Sequence, residues 1–356
     1  MSGIDYLILI LVLLIPSLVM AYYFYDRVKA DRTVVDQRSY IDGLIAALDG
    51  NDRKAFAHFR DVVAVDTNNI DAYLRIGDIF RRNGKPERAL QIHQDLSIRH
   101  DLTPAQKAAV YRAITQDYLA QSDYPAAARS LEEFNKHSGG DAWSLSTLLT
   151  LLEKSGDWEK ALATQEKLLK LKGELSRKPL ARFKVMIGDR LAAGKQYHQA
   201  RLAYKEALNL DDRASAAYLS IGDTYVAESR TEDAISMWKR MVSNVPEECG
   251  PALARLEKAL FEVGRFGEIE DICHTALRLD PTNLEARLKL ASYFTKKSEY
   301  EAAEEELLQA LDNNPDSYKP ALELARLYLK SKKEDKIHDL IGLLERKERE
   351  SLTNAG

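Results

Sequence analysis

The residues of this 356-residue sequence best able to bind metal or attack a substrate are seven histidines and two cysteines. His58, His93, His100, His137, His198, His274 and His338 are scattered, and none pairs with another at metal-ligand spacing on one helix. Cys249 and Cys273 stand 24 residues apart without a CxxC. That count excludes a disulfide framework and a four-thiolate metal site, and both read as small semi-buried hydrophobes. Cys273 and His274 are adjacent, so a helix points them to different faces. Gly139-Gly140 lacks the Lys-Ser/Thr of a phosphate loop, and HExxH and GxSxG do not occur. Runs such as Glu304-Glu305-Glu306 read as a solvated helix face. No catalytic group, metal, cofactor or small-molecule substrate is therefore expected. With 51 basic and 55 acidic residues the net charge is -4, which gives nucleic acid no electrostatic purchase.

The chemistry that remains is recognition by charged side chains at recurring positions. Arg81, Arg82 and Arg112 suit the reading of a partner's carboxylates or acidic helix. Asp71, Asp78, Gln116, Lys154, Arg182 and Asp189 fall at equivalent inward positions, as do Trp143, Asp223, Lys258, Lys296 and Arg326. Together they form the expected partner-binding set.

The elements that position them repeat. Segments 71–96 and 215–246 share one pattern: a small residue, a large aromatic three residues on, and an alanine twelve residues on. Aligned on the small position, the chain gives Gly43, Gly77, Thr115, Leu149, Gly188, Gly222, Glu257, Ala291 and Ala325. Five of the eight spacings are 34. A second column reads Ala55, Ala89, Ala127, Ala161, Ala200, Ala234, Ile269, Ala303 and Ile337. A third, four residues further, holds Phe59, Leu131, Tyr204, Trp238, Cys273 and Leu307. Small residues belong where two helices of a pair approach closest, with large ones beside them. Leu149 and Glu257 break the rule, so their units should pack loosely or with displaced helices. The extra residues, 98–106 and 171–179, carry turn formers and read as loops between repeats. Only 10 Pro and 17 Gly occur, which suits a mostly helical chain. The fold expected is all-α: a tetratricopeptide α-solenoid, a superhelix of about nine helix pairs whose helix A lines the concave face.

Ahead of the repeats, residues 6–25 form an uncharged run. Twenty residues in a helix span about 30 Å, the thickness of the bilayer's hydrocarbon core. Tyr6, Tyr22, Tyr23 and Tyr25 suit the interfaces, while Arg27 and Lys29 follow the run and no Lys or Arg precedes it. The expectation is a single-pass membrane helix with the repeats on the cytoplasmic side. The organisation expected is an anchor at 1–28, a repeat array at 29–345 and a charged flexible tail at 346–356.

One stretch is more specific than the repeat requires. GDIFRRNGKPERALQIHQDL, followed by LTPAQ and DYLAQSDYPAAARSLEEF, resembles the lipopolysaccharide assembly protein B family of Gram-negative bacteria. Gly77, Phe80, Arg81, Gly84, Arg88, Ala89, Ile92, His93, Gln94, Leu96, Leu102, Gln106, Asp117, Tyr118 and Tyr124 carry the likeness. The resemblance implies a non-enzymatic adaptor at the inner membrane. Such a protein helps a membrane-bound ATP-dependent protease degrade the lipid A deacetylase. The family pattern ends in a rubredoxin-like module with two CxxC pairs. This sequence has no CxxC, so metal binding does not carry over, nor does any step that needs that module. A general tetratricopeptide adaptor for another envelope assembly, such as secretion or pilus biogenesis, fits the repeats as well.

Overall fold

In the computed structural model, residues 37–333 and 335–354 are described, together with Met20, Tyr22 and Tyr23, and side chains are described as far as residue 345. Most of the expected membrane run, including Tyr6 and Tyr25, lies outside the described residues, as do Arg27 and Lys29. Tyr22 and Tyr23 are helical and exposed. No helix among the described residues is long and apolar enough to cross a membrane.

The described chain is helical throughout, with no strand. It falls into two units divided between Asp157 and Trp158. The first unit holds α1 (37–48), α2 (Asp52–Val65), α3 (Ile70–Arg82), α4 (Pro86–Ser97), α5 (Pro104–Ala120), α6 (Tyr124–Ser138) and α7 (Ala142–Ser155). The second opens with α8 (Trp158–Lys172), α9 (Ala181–Ala193), α10 (Tyr197–Leu210), α11 (Ser215–Ala227) and α12 (Thr231–Asn244). It continues through α13 (Gly250–Glu262), α14 (Glu268–Leu279), α15 (Leu284–Lys297), α16 (Tyr300–Asn313), α17 (Lys319–Ser331) and α18 (Asp335–Asn354). Within each unit the helices succeed one another as the expected pairs, and each small position lies on the first helix of its repeat. α18 continues as helix through the charged residues up to Asn354.

Two periodic features show why the sequence folds in this register. The first is a ring set against a bare backbone. A Cβ added to Gly43, Gly77, Gly188 or Gly222 would collide with Phe59, His93, Tyr204 or Trp238 respectively. Each ring lies 16 residues after its glycine, and the approach to Trp238 Nε1 would be 2.2 Å. Only a residue without a side chain lets the second helix bring so large a ring onto the first. Burying such a ring contributes about 1.5–3 kcal/mol. The alanine column is fully buried beside it at Ala55, Ala89, Ala127, Ala161, Ala200, Ala234 and Ala303.

The second feature closes each pair. Seven residues after every small position, the chain enters the left-handed region: Gly50, Gly84, Ser122, Gly156, Lys195, Ser229, Gly264, Ser298 and Lys332. The next amide then donates back to a carbonyl of the first helix, as in Lys85 to Phe80 (2.9 Å) and Arg230 to Tyr225 (2.8 Å). That bond satisfies an otherwise orphaned helix end. A left-handed residue that is not glycine costs about 1 kcal/mol, so this turn is imposed by the packing around it.

The two rule-breaking repeats keep the turn but differ elsewhere. The division between the units falls inside the repeat that carries Leu149. In the other, Glu257 accepts from Lys289 Nζ (2.5 Å) and Lys296 Nζ (2.6 Å) on α15. The loop expected at 98–106 ends earlier, because Thr103 and Gln106 cap each other's backbone amides and start α5 at Pro104. The second extra stretch leaves α8 at Gly173 and returns through a short 3-10 turn at Lys178–Leu180.

Candidate functional site: the charged faces of the helix pairs

The richest cluster in the first unit joins α3, α4 and α5. His93 sits over Gly77 at the position other repeats give to Phe59, Tyr204 or Trp238. Its Nδ1 lies 2.5 Å from Asp117 Oδ2, and both side chains are fully buried. A carboxylate only accepts, so Nδ1 carries the proton in this contact. Arg81 Nη1 donates to the other Asp117 oxygen at 2.8 Å, and its Nη2 donates to Asp78. The Arg81 side chain is 18% exposed, so Arg81 chiefly ties one repeat to the next. Beside this network Gln94 Nε2 donates to the Tyr118 hydroxyl at 2.9 Å.

Its neighbours in the expected set behave differently. Arg82 donates to Asp52 at 2.6 Å. Arg112 is exposed and lies over the Trp143 ring, 4.5 Å from its centroid. Lys154 is exposed over Tyr124 at 6.0 Å, and Gln116 is half-buried. Asp71 takes the Tyr40 hydroxyl and, at 3.2 Å, Arg75 Nε. Burial first, and then Asp71, hold the Tyr40 phenol above its usual range. The three arginines are thus three arrangements: Arg81 is a strut, Arg82 a surface pair, and Arg112 a cation on an aromatic platform.

In the second unit, Arg182 is exposed with its guanidinium 4.4 Å from the Phe183 ring centroid. Asp189 accepts from the Tyr204 hydroxyl at 2.7 Å and from Ser220 Oγ at 3.4 Å. Burial first, then that carboxylate, push the Tyr204 phenol up. Charged residues here pair across one repeat length: Arg255 with Asp223 (2.7 and 2.9 Å), Arg265 with Glu232 (2.6 Å), Lys319 with Glu285 (2.8 Å) and Lys333 with Glu301 (2.9 Å). Solvent screens such exposed pairs, so they add little stability and serve to match each repeat to the next at a constant offset. Cys249 and Cys273 are both buried, and burial pushes both thiols up to about 12. Neither is a thiolate near neutral pH, so neither suits nucleophilic work. No group of three His, Cys, Asp or Glu among the described residues could hold a metal ion.

Sequence reasoning did not assign the His93–Asp117 pair a role, although both residues stood in the family resemblance. A signal was present. Two residues after the small position, five of the other eight repeats place buried apolar residues, Ile79, Leu151, Ala259, Tyr293 and Leu327, and a sixth places the buried Thr224, while Ile45 and Arg190 are exposed. An aspartate in that column needs a cationic or hydrogen-bonding partner, and the one histidine in the ring column supplies it.

The helix pairs and their columns define a tetratricopeptide scaffold. Tetratricopeptide repeat families match residues 72–106, 185–247 and 258–318. The resemblance read from the sequence stands. The chain is similar to lipopolysaccharide assembly protein B of Escherichia coli strain K12, 24% identical over 311 residues, covering 86% of this chain and 80% of that one. It is 23% identical over 319 residues to the Haemophilus influenzae protein of the same name, with the same two coverages. Among solved structures, the crystal structure of YrrB, a TPR protein with an unusual peptide-binding site, covers 55% of this chain and 96% of its own. It is 17% identical, with a TM-score of 0.37. The chain is a protein-interaction scaffold of tetratricopeptide type.

Proposed function

We propose that this chain is a non-enzymatic, membrane-anchored scaffold in the control of lipopolysaccharide synthesis. It brings the lipid A deacetylase to a membrane ATP-dependent protease on the cytoplasmic face of the inner membrane. The observation that carries the reading is the likeness to lipopolysaccharide assembly protein B across 86% of the chain. The uncharged run at 6–25, with Arg27 and Lys29 after it, supports a single-pass anchor with the repeats on the cytoplasmic side. Confinement at the membrane raises the effective concentration of two bound partners without new contacts between them. Exposed groups such as Arg112, Lys154, Arg182 and Asp189 offer acidic and basic segments places to dock.

Cross-linking in native membranes, followed by identification of the captured proteins, tests this. Recovery of the deacetylase and the protease is expected. Recovery of secretion or pilus components in their place would replace the reading with that of a general envelope adaptor.

A further inference from the structure

The stretch between α8 and α9 does no packing that a 34-residue repeat requires, yet it is built on a firm base. Leu169 and Leu180 are 5% and 1% exposed and fasten its two ends to the helix pair. Every residue from Lys170 to Pro179 is exposed, and Leu175, near its middle, is 96% exposed, with Leu171 at 57%. A single exposed leucine is ordinary on a protein surface. What is unusual here is its company. Between residues 167 and 178 there are five basic side chains and one acidic one, in a chain whose net charge is -4. The acidic neighbours hold these cations loosely: Lys172 lies 3.9 Å from Glu174, Arg177 3.4 Å from Glu166, and Lys178 3.7 Å from Asp211. All of these cations are about half or more exposed, so their partners can be exchanged for stronger acceptors.

We propose that this insertion is a contact site for an anionic phospholipid surface. Leu171 and Leu175 enter the headgroup boundary, while Lys170, Lys172, Arg177 and Lys178 pair with lipid phosphates. Protruding apolar side chains ringed by basic ones suit such an interface, because apolar burial and attraction to anionic lipid add together. An acidic protein segment would satisfy the cations but leaves the two leucines unexplained. The inference does not depend on the anchor at 6–25, since the geometry belongs to the second unit alone.

The full chain is reconstituted with phosphatidylcholine vesicles and, separately, with phosphatidylcholine vesicles containing phosphatidylglycerol. Flotation reports binding, and amide exchange is read across 168–182. Exchange over 171–178 should slow about fivefold or more only where phosphatidylglycerol is present, and the slowing should disappear at high salt. Leu175→Ser, and Lys170→Glu with Lys172→Glu, should each abolish it; all three positions are exposed, so the fold is kept. Flotation with both vesicle types but equal exchange in both would overturn this inference and leave the anchor reading intact. Flotation and protection only with phosphatidylglycerol would support the inference and remove the anchor. Flotation with neither would remove both. Protection by a poly-glutamate peptide, with none from phosphatidylglycerol, would assign the insertion to a protein partner and overturn the proposal.

Discussion

Asp117→Asn should be the most damaging near-isosteric change in the first unit. The native carboxylate is fully buried and receives Arg81 Nη1 at 2.8 Å and His93 Nδ1 at 2.5 Å. Asparagine fills the same space but loses the charge, and its NH2 must face one of the two donors. Breaking a buried pair by removing one partner costs about 3–5 kcal/mol. Arg81 keeps Asp78 and remains 18% exposed, which offsets part of the loss. The expected cost is therefore about 3 kcal/mol, or roughly a 150-fold rise in local opening. Hydrogen exchange resolved by segment is the suitable assay, because a repeat array need not unfold in one step. Protection should fall in α3, α4 and α5 and stay constant in α10 to α12. Asp78→Asn, at a carboxylate 28% exposed, should cost under about 1 kcal/mol. His93→Phe with Asp117→Leu should cost less than Asp117→Asn alone, since a ring at that position matches Phe59 and Tyr204 and no buried carboxylate is left. Unchanged exchange in α3 to α5 for Asp117→Asn would refute the view that these groups hold the repeats together.

Gly222→Ala should destabilise by about 1–2 kcal/mol despite the better helix propensity of alanine, because the new Cβ would meet Trp238; Gly342→Ala, where a Cβ meets nothing within 4 Å, should stabilise by about 0.5–1 kcal/mol. Urea midpoints of the two variants decide this, and a shift in the same direction for both would show that the close approach is not obligatory. Arg112→Glu should lower partner capture in native membranes severalfold with no change of exchange in α5; equal capture would exclude the platform on Trp143 as a recognition element. Burial tends to raise the Glu257 carboxyl, but Lys289 and Lys296 outweigh it and leave its pKa lowered. Its stabilising contribution is therefore present above the unfolded value, about 4.3, and is lost as pH falls through the lower folded value. The stability difference between the native chain and Glu257→Gln should shrink on acidification, and a difference independent of pH would disprove the linkage.

Much of the fold was legible because close helix packing leaves a mark on residue size. Gly43, Gly77, Gly188 and Gly222 are small for a reason that operates within a single pair, so the period shows in one sequence. Leu149 and Glu257 obeyed the period without obeying the size rule, and the structure answers each differently, with a division between units at one and a pair of lysine contacts at the other. The charged faces were less legible. Helical periodicity tells which side of a helix a residue occupies, not what faces it from the adjoining repeat. Arg81 and Arg82 are sequence neighbours of one type, yet one meets a buried aspartate and the other a surface one. That difference depends on a residue 36 positions away, which no local pattern contains.

The left-handed turn stands at a constant distance from the small position in every repeat, including those whose packing is unusual. Inside a helix pair, the ring contact and the turn count from the same origin, so one added or deleted residue would miss both. Between pairs nothing keeps such a count, and the surplus residues of this chain have collected there. Length is thus a free variable only at the junctions. A tag, a cleavage site or a second binding segment can be inserted after Ile98, at a junction where the spacing of the small positions already departs from 34.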